Sequence, residues 1–183
     1  MIFIIPTDTC LGIWCAFDDI KSYHRIYEIK KRELSKPLSI MIEGFDWLAD
    51  NTSLTDEQID FLENYPKPFT IITQSPRLKM ILELDQEDFE YKNKENYKKF
   101  AFRVAHNNIQ HQLISEVGPL FLTSANISGE KEIYDTQEAR KQFTNFTKEI
   151  TYIPENYSWD IQAPSDIFEF VDDSLELNYI RKS

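Results

Sequence analysis

The side chains best suited to chemistry in this 183-residue chain fall in short polar clusters beside apolar runs. Thr123-Ser124-Ala125-Asn126-Ile127-Ser128-Gly129 follows Pro119-Leu120-Phe121-Leu122, which reads as a buried strand. A cluster there lies at a strand's carboxyl end, where open α/β sheets bind ligands. Ser124 and Asn126 offer compact donors and acceptors for phosphate or carboxylate oxygens, and the same residue types also build ordinary polar turns. Pro6-Thr7-Asp8-Thr9 occupies the matching end of a first apolar run. Its two hydroxyls suit a small polar ligand; a turn held by an Asx-type bond from Asp8 is the plainer alternative. Lys30-Lys31-Arg32 falls where a first helix should end. Cations there complement the helix dipole, and Lys as a point charge with Arg as a bidentate fork can equally clamp an anion. Arg103 lies inside an apolar stretch, Phe100 to Val104, so it needs a partner carboxylate or an anionic ligand.

The elements that must position these groups alternate. Apolar runs at Met1–Ile5, Leu11–Phe17, Leu38–Ile42, Phe69–Thr73, Phe100–Val104, Ile167–Val171 and Leu175–Ile180 read as strands. Helical spacing follows Asp18 or Asp19, capping-box spacing joins Thr55 to Gln58, a helix over Asn108–Val117 can end at Gly118, and Asp135 with Glu138 marks another helix start. Residues 83 to 99 read as a charged surface loop or short helix. Strands alternating with helices predict an α/β fold in one domain, 1–183, without repeats or a low-complexity linker.

Composition narrows the function classes. The net charge of −11 argues against a broad nucleic-acid face, because phosphate backbones need clustered Lys and Arg. A small basic pocket for a nucleotide remains compatible. No apolar run approaches the roughly 20 residues that span a bilayer. Cys10 and Cys15, with no signal peptide, read as structural thiols in a reducing cytosol, and so predict a cytoplasmic protein without a metal site. There is no P-loop, no GxGxxG, no HExxH and no Ser-His-Asp arrangement. Trp14, Trp47 and Trp159 read as packing residues.

Taken in order, Pro6-Thr-Asp-Thr9 with Gly12, Lys30-Lys-Arg32 before Lys36-Pro37-Leu38, Pro66-Lys-Pro-Phe-Thr70, Phe100-Ala-Phe-Arg103, Pro119 to Gly129 and Ala163-Pro164-Ser165 resemble the YrdC-like family of threonylcarbamoyl-AMP synthases. The likeness covers nearly the whole chain and is weakest over residues 75 to 99. It implies a twisted, mixed α/β sheet with flanking helices around a deep polar cavity. It further implies synthesis of threonylcarbamoyl-AMP and pyrophosphate from L-threonine, bicarbonate and ATP with Mg2+, the product passing to a separate complex for t6A37 modification of tRNA. On this resemblance Lys30, Arg32, Ser124 and Asn126 form the catalytic and ATP-binding cluster, Ser165 and Arg181 extend the ATP site, and Thr7, Thr9 and Arg103 line the threonine end.

The pattern also departs from the family. Leu11 stands where a tyrosine is usual, Trp14 where a glycine is usual, and Lys67 breaks the usual Pro-Gly-Pro corner. Ala105 replaces a proline, and Asp166 replaces the threonine of Pro-Ser-Thr. Trp14 is expected to fill part of the cavity, and Asp166 to repel phosphate unless it faces away or binds magnesium. These departures carry the alternative reading: a divergent, non-catalytic YrdC-like protein that binds nucleotide or double-stranded RNA.

Overall fold

The computed structural model describes residues 1–78, 98–155 and 163–183. Most of the charged segment, residues 83 to 97, and Trp159 lie outside them. The β-branched and aromatic runs form nine strands: β1 (Ile2–Pro6), β2 (Leu11–Ala16), β3 (Ser39–Ile42), β4 (Phe69–Thr73), β5 (Phe100–Val104), β6 (Leu120–Ser124), β7 (Ile150–Tyr152), β8 (Asp166–Phe170) and β9 (Leu177–Arg181). They join in one mixed sheet of order β7-β1-β2-β6-β3-β5-β4-β8-β9. The β1–β7, β3–β5 and β4–β8 pairs are parallel and the others antiparallel.

Among the described residues it is flanked by the helices α1 (Ile20–Lys30), α2 (Phe45–Asn51), α3 (Asp56–Glu63), α4 (Asn108–Val117) and α5 (Thr136–Gln142). Their starts follow cap chemistry. Asp19 accepts from Ser22 N at 3.0 Å, Asn107 from Gln110 N at 3.0 Å, Asp135 from Gln137 N and Glu138 N, and Thr55 with Gln58 closes a capping box, each satisfying otherwise orphaned amides. The sequence reading missed α2 and β7. It also ended the sixth strand at Leu122, whereas pairing continues to Ser124.

Residues opposite one another in a sheet share a face, and the two faces are covered unequally. On one, Leu11, Ile13, Phe121, Ile40, Phe102, Ile71 and Phe168 pack beneath α1, α2, α3 and α5 as the main core. On the other, α4 alone among the described helices contributes, placing Leu113 and Ile114 against Ile5, Trp14, Met41, Leu120 and Leu122. Among the described residues, part of that second face borders a cavity. No described helix is long and apolar enough to cross a membrane.

Candidate functional site

The floor of the cavity lies on one face of the sheet and crosses it in steps of two residues along β6 and β3. Gly12 opposes Ser124, Leu122 opposes Ser39, Met41 opposes Arg103, Thr70 opposes Ile167, and Ile167 opposes Arg181. Ser39 and Met41 share a face by alternation, and the Ile71–Phe102 pair sets Thr70 beside Arg103. Ser124, Leu122, Ser39, Arg103, Thr70, Ile167 and Arg181 accordingly line one cavity of about 230 Å³, with Thr7, Thr9, Cys10, Arg32, Glu132, Tyr134 and Ser165 on its walls. Seven of the nine residues singled out from the sequence therefore meet here: Thr7, Thr9, Arg32, Arg103, Ser124, Ser165 and Arg181.

Lys30 and Asn126 stand behind the wall. Lys30 is 1% exposed, and its ammonium donates to the carbonyls of Ser124 and Asn126 and, at 3.4 Å, to Asn126 Oδ1. Ser124 Oγ donates to Asn126 Oδ1 at 2.5 Å, Asn126 Nδ2 to Glu130 O at 2.6 Å, and Ser128 N to Lys30 O at 2.9 Å. The lysine thus braces the polar loop from the helix side. Burial, with Arg32 repulsion added, lowers its pKa from 10.5 to about 7. A Schellman turn separates it from Arg32: Arg32 N bonds Tyr27 O and Lys31 N bonds Glu28 O, with Lys31 at φ 51°. That left-handed residue sends Lys30 inward and Arg32 to the cavity, where Lys36 O and Pro37 O hold the guanidinium at 2.9 and 3.2 Å.

Arg103 has its carboxylate partner: it donates to Asp8. Asp8 therefore does not hold its own turn; Thr7 Oγ1 does, accepting from Thr9 N and Cys10 N at 3.1 Å each and lying 3.0 Å from Thr9 Oγ1. At the far side Arg181 donates to Ser165 O at 2.9 Å and Ser165 Oγ at 3.0 Å. Burial, then the nearby Arg103, lowers the Arg181 pKa. Among the described residues, three guanidiniums and one carboxylate, Glu132, thus face a space walled by hydroxyls, on a chain of net charge −11.

The three departures most expected to disturb this site stay off the cavity wall. Leu11 is 1% exposed and packs in the helix-side core. Trp14 is fully buried beneath α4, its Nε1 donating to Ile5 O at 3.3 Å, and it does not line the cavity. Its ring occupies the space beside Gly12, where an added β-carbon would lie 2.4 Å from Nε1 and 2.9 Å from Cε2. Asp166 is fully buried on the opposite face from Ile167 and accepts from Tyr65 Oη at 2.6 Å and Ser183 N at 2.6 Å. Burial pushes its pKa up, yet these bonds outweigh burial and hold it below the ordinary aspartate value.

Sequence reading missed Glu132, Tyr134, Ser39, Thr70 and Cys10. The signal for the first two was present: buried Ile133, whose carbonyl accepts from Leu11 N at 2.8 Å, turns its neighbours on either side to the cavity. Both cysteines are free and buried, and Cys10 reaches the wall.

Known proteins share this fold. The Sua5/YciO/YrdC family model, described as "Telomere recombination", matches residues 1–183. A protein named putative threonylcarbamoyl-AMP synthase from Methanocaldococcus jannaschii is 27% identical over 176 residues, covering 95% of this chain and 76% of its own length. Among solved structures, Pyrococcus abyssi Sua5 complexed with L-threonine superposes with a TM-score of 0.74 at 22% identity, over 98% of this chain. The chain spans about half of that protein, 49% of its length. Escherichia coli YciO superposes with a TM-score of 0.73 at 19% identity, over 99% of this chain and 82% of its own. A family model matched from the first residue to the last, over the same fold, establishes that this chain belongs to the Sua5/YciO/YrdC family.

Proposed function

We propose that the chain is an L-threonylcarbamoyladenylate synthase acting in t6A synthesis. The observation that carries the reading is the charge pattern of the cavity: Arg32, Arg103 and Arg181 for anionic oxygens, Glu132 for an ammonium, and the Thr7/Thr9 hydroxyls beside them. That set suits a polyphosphate together with a zwitterionic amino acid. The names of the relatives and the L-threonine in the Pyrococcus abyssi complex support the same substrates.

In this reading the threonine amine and bicarbonate form a carbamate with loss of water. A carbamate oxygen attacks the α-phosphorus of ATP, the bond to the β-phosphate oxygen breaks, and pyrophosphate leaves. Such a transfer needs positioning and charge stabilisation more than covalent help. Arg32 and Arg181 with Ser124 and Ser165 would hold phosphate oxygens, and Lys30 with Asn126 would keep the Ser124 loop in place. Thr7, Thr9 and Arg103 would hold threonine, and Tyr134 brings a ring and a hydroxyl to the same wall. No cluster of three His, Cys, Asp or Glu side chains is placed to hold a metal among the described residues. A magnesium ion would arrive on the nucleotide, since Mg2+ is commonly held by phosphates with few carboxylates and the cavity carries one, Glu132, among the described residues. When bound it neutralises pyrophosphate charge. The acidic surface suits a synthase that hands its product to a separate tRNA-modifying complex in the cytoplasm. Asp166 turned toward Tyr65, and Trp14 sunk beneath α4, favour the synthase over the non-catalytic alternative.

The test is direct. Purified protein with ATP, Mg2+, L-threonine and bicarbonate should release pyrophosphate and form threonylcarbamoyl-AMP, both stopping when threonine is omitted. No threonine-dependent release at high enzyme concentration overturns the reading. Glu132→Gln keeps the shape and removes the charge. It is expected to raise KM for threonine about 10- to 100-fold, the worth of one charge-assisted contact, with KM for ATP little changed. An unaltered threonine KM removes Glu132 from the ammonium site.

A further inference from the structure

β9 meets β8 out of step. Phe168 opposes Tyr179, yet the next residue along β8, Ile167, opposes Arg181, so Ile180 is an extra residue in the ladder. Regular alternation would put Arg181 on the same face as Tyr179, toward Phe168 and the helices. The bulge at Ile180, which is 59% exposed, reverses the alternation and turns Arg181 to the cavity face beside Ile167. A bulge of this kind needs something to hold the strand beyond it. That grip is on the opposite face: Asp166 Oδ1 accepts from Ser183 N at 2.6 Å and Ser183 Oγ at 2.9 Å, while Oδ2 accepts from Tyr65 Oη at 2.6 Å. Lys67 Nζ adds a bond to Ser183 O at 2.9 Å, and Tyr65 Oη lies 3.1 Å from Tyr179 Oη. The strand is thus tied on both sides of the extra residue.

We propose that Asp166 is a positioning residue: by clasping Ser183 and Tyr65 it fixes the Ile180 bulge and so aims the Arg181 guanidinium into the cavity. The aspartate that looks out of place beside a polyanion site acts through the back of the sheet. That Arg181 then serves ATP rests on the synthase reading; its aim does not.

The experiment follows solvent exchange of the Arg181 Nε–H by nitrogen-15 NMR, because that proton is held by Ser165 O at 2.9 Å. Asp166→Ala removes the clasp from one side. Ser183→Pro removes the N–H and the hydroxyl from the other at an exposed position, and it decides the matter if Asp166→Ala does not fold. Each should speed Arg181 Nε–H exchange about tenfold or more, leaving β4 and β5 amides protected, and Asp166→Asn should restore near-native exchange. Unchanged exchange overturns the proposal, as does a rise shared equally by the β4 and β5 amides, which would mark general loosening. ATP affinity by calorimetry supplies a second arm. Asp166→Ala should weaken it in the native background and have no further effect in Arg181→Ala, and additive losses overturn the coupling. ATP binding absent from the native protein would overturn the synthase reading while leaving the exchange result to stand.

Discussion

Lys30→Met should abolish threonine-dependent pyrophosphate release to about 1% or less and lower stability by about 3 kcal/mol, because it leaves one buried and one half-buried carbonyl without their donor. Methionine keeps most of the side chain's length and loses the cation. The carbonyls of Ser124 and Asn126 then face the gap, and nothing braces the loop that brings Ser124 to the cavity. A fall of roughly 6–12 °C in melting temperature is the corresponding scale for a chain of this size. The pH dependence identifies the cause. Below about pH 7 the folded and unfolded chains both carry the Lys30 proton, and the full cost of burying the charge is present. Between about 7 and 10.5 the unfolded chain binds the proton and the folded chain does not, so stability rises with pH across that window. Above it the contribution is flat. Native protein should therefore gain on Lys30→Met as pH rises from 7 to 10 in denaturant titrations. A difference constant across that range would show that Lys30 keeps its proton, and full activity in Lys30→Met would remove the brace from the mechanism.

Gly12→Ala should destabilise by about 1–3 kcal/mol, the usual cost of forcing volume into a packed core, and should weaken threonine binding as well. The added β-carbon would meet Trp14 Nε1 at 2.4 Å and Thr7 Cγ2 at 3.1 Å. The indole is not free to withdraw, since it is fully buried and bonded to Ile5 O. Strain therefore passes to Thr7, whose hydroxyl organises the Thr9–Cys10 turn on the cavity wall. Trp14→Phe removes the offending ring atoms. In that background Gly12→Ala should cost less than half as much, as a double-mutant cycle on urea unfolding would register. Equal costs in both backgrounds would mean that the ring and the glycine are not matched.

Much of the site was legible because its residues sit where local rules are strong. Strand-end clusters gave Thr7, Thr9 and Ser124, a helix terminus gave Arg32, and a charge stranded in an apolar run gave Arg103. Capping chemistry located the starts of α1, α3 and α5 and the end of α4. What stayed hidden depends on partners distant in sequence. Ser39 and Thr70 become cavity residues only because β3 and β4 both neighbour β5, an order that no local pattern encodes. α2 begins at Gly44 with no capping side chain, and β7 is three residues long, so neither announces itself. Asp166 is more instructive. It alternates with Phe168 and Phe170, both buried, and that period of two points it away from Ile167; the resemblance drew attention to the charge, while the alternation carried the direction.

The cavity floor has a consequence for how this protein can change. Its residues are one parity class, every second position on each of the strands that form it, and the other class is the hydrophobic core. Substitutions along the floor alter the chemistry and leave the fold standing. A single insertion or deletion within a strand exchanges the two classes on that strand, setting a core residue in the cavity and a guanidinium or hydroxyl in the core, whereas a change of two residues preserves the assignment. At Ile180 the chain makes such a change itself, one residue gained, and the arginine that follows is thereby moved from the core's parity class to that of the floor.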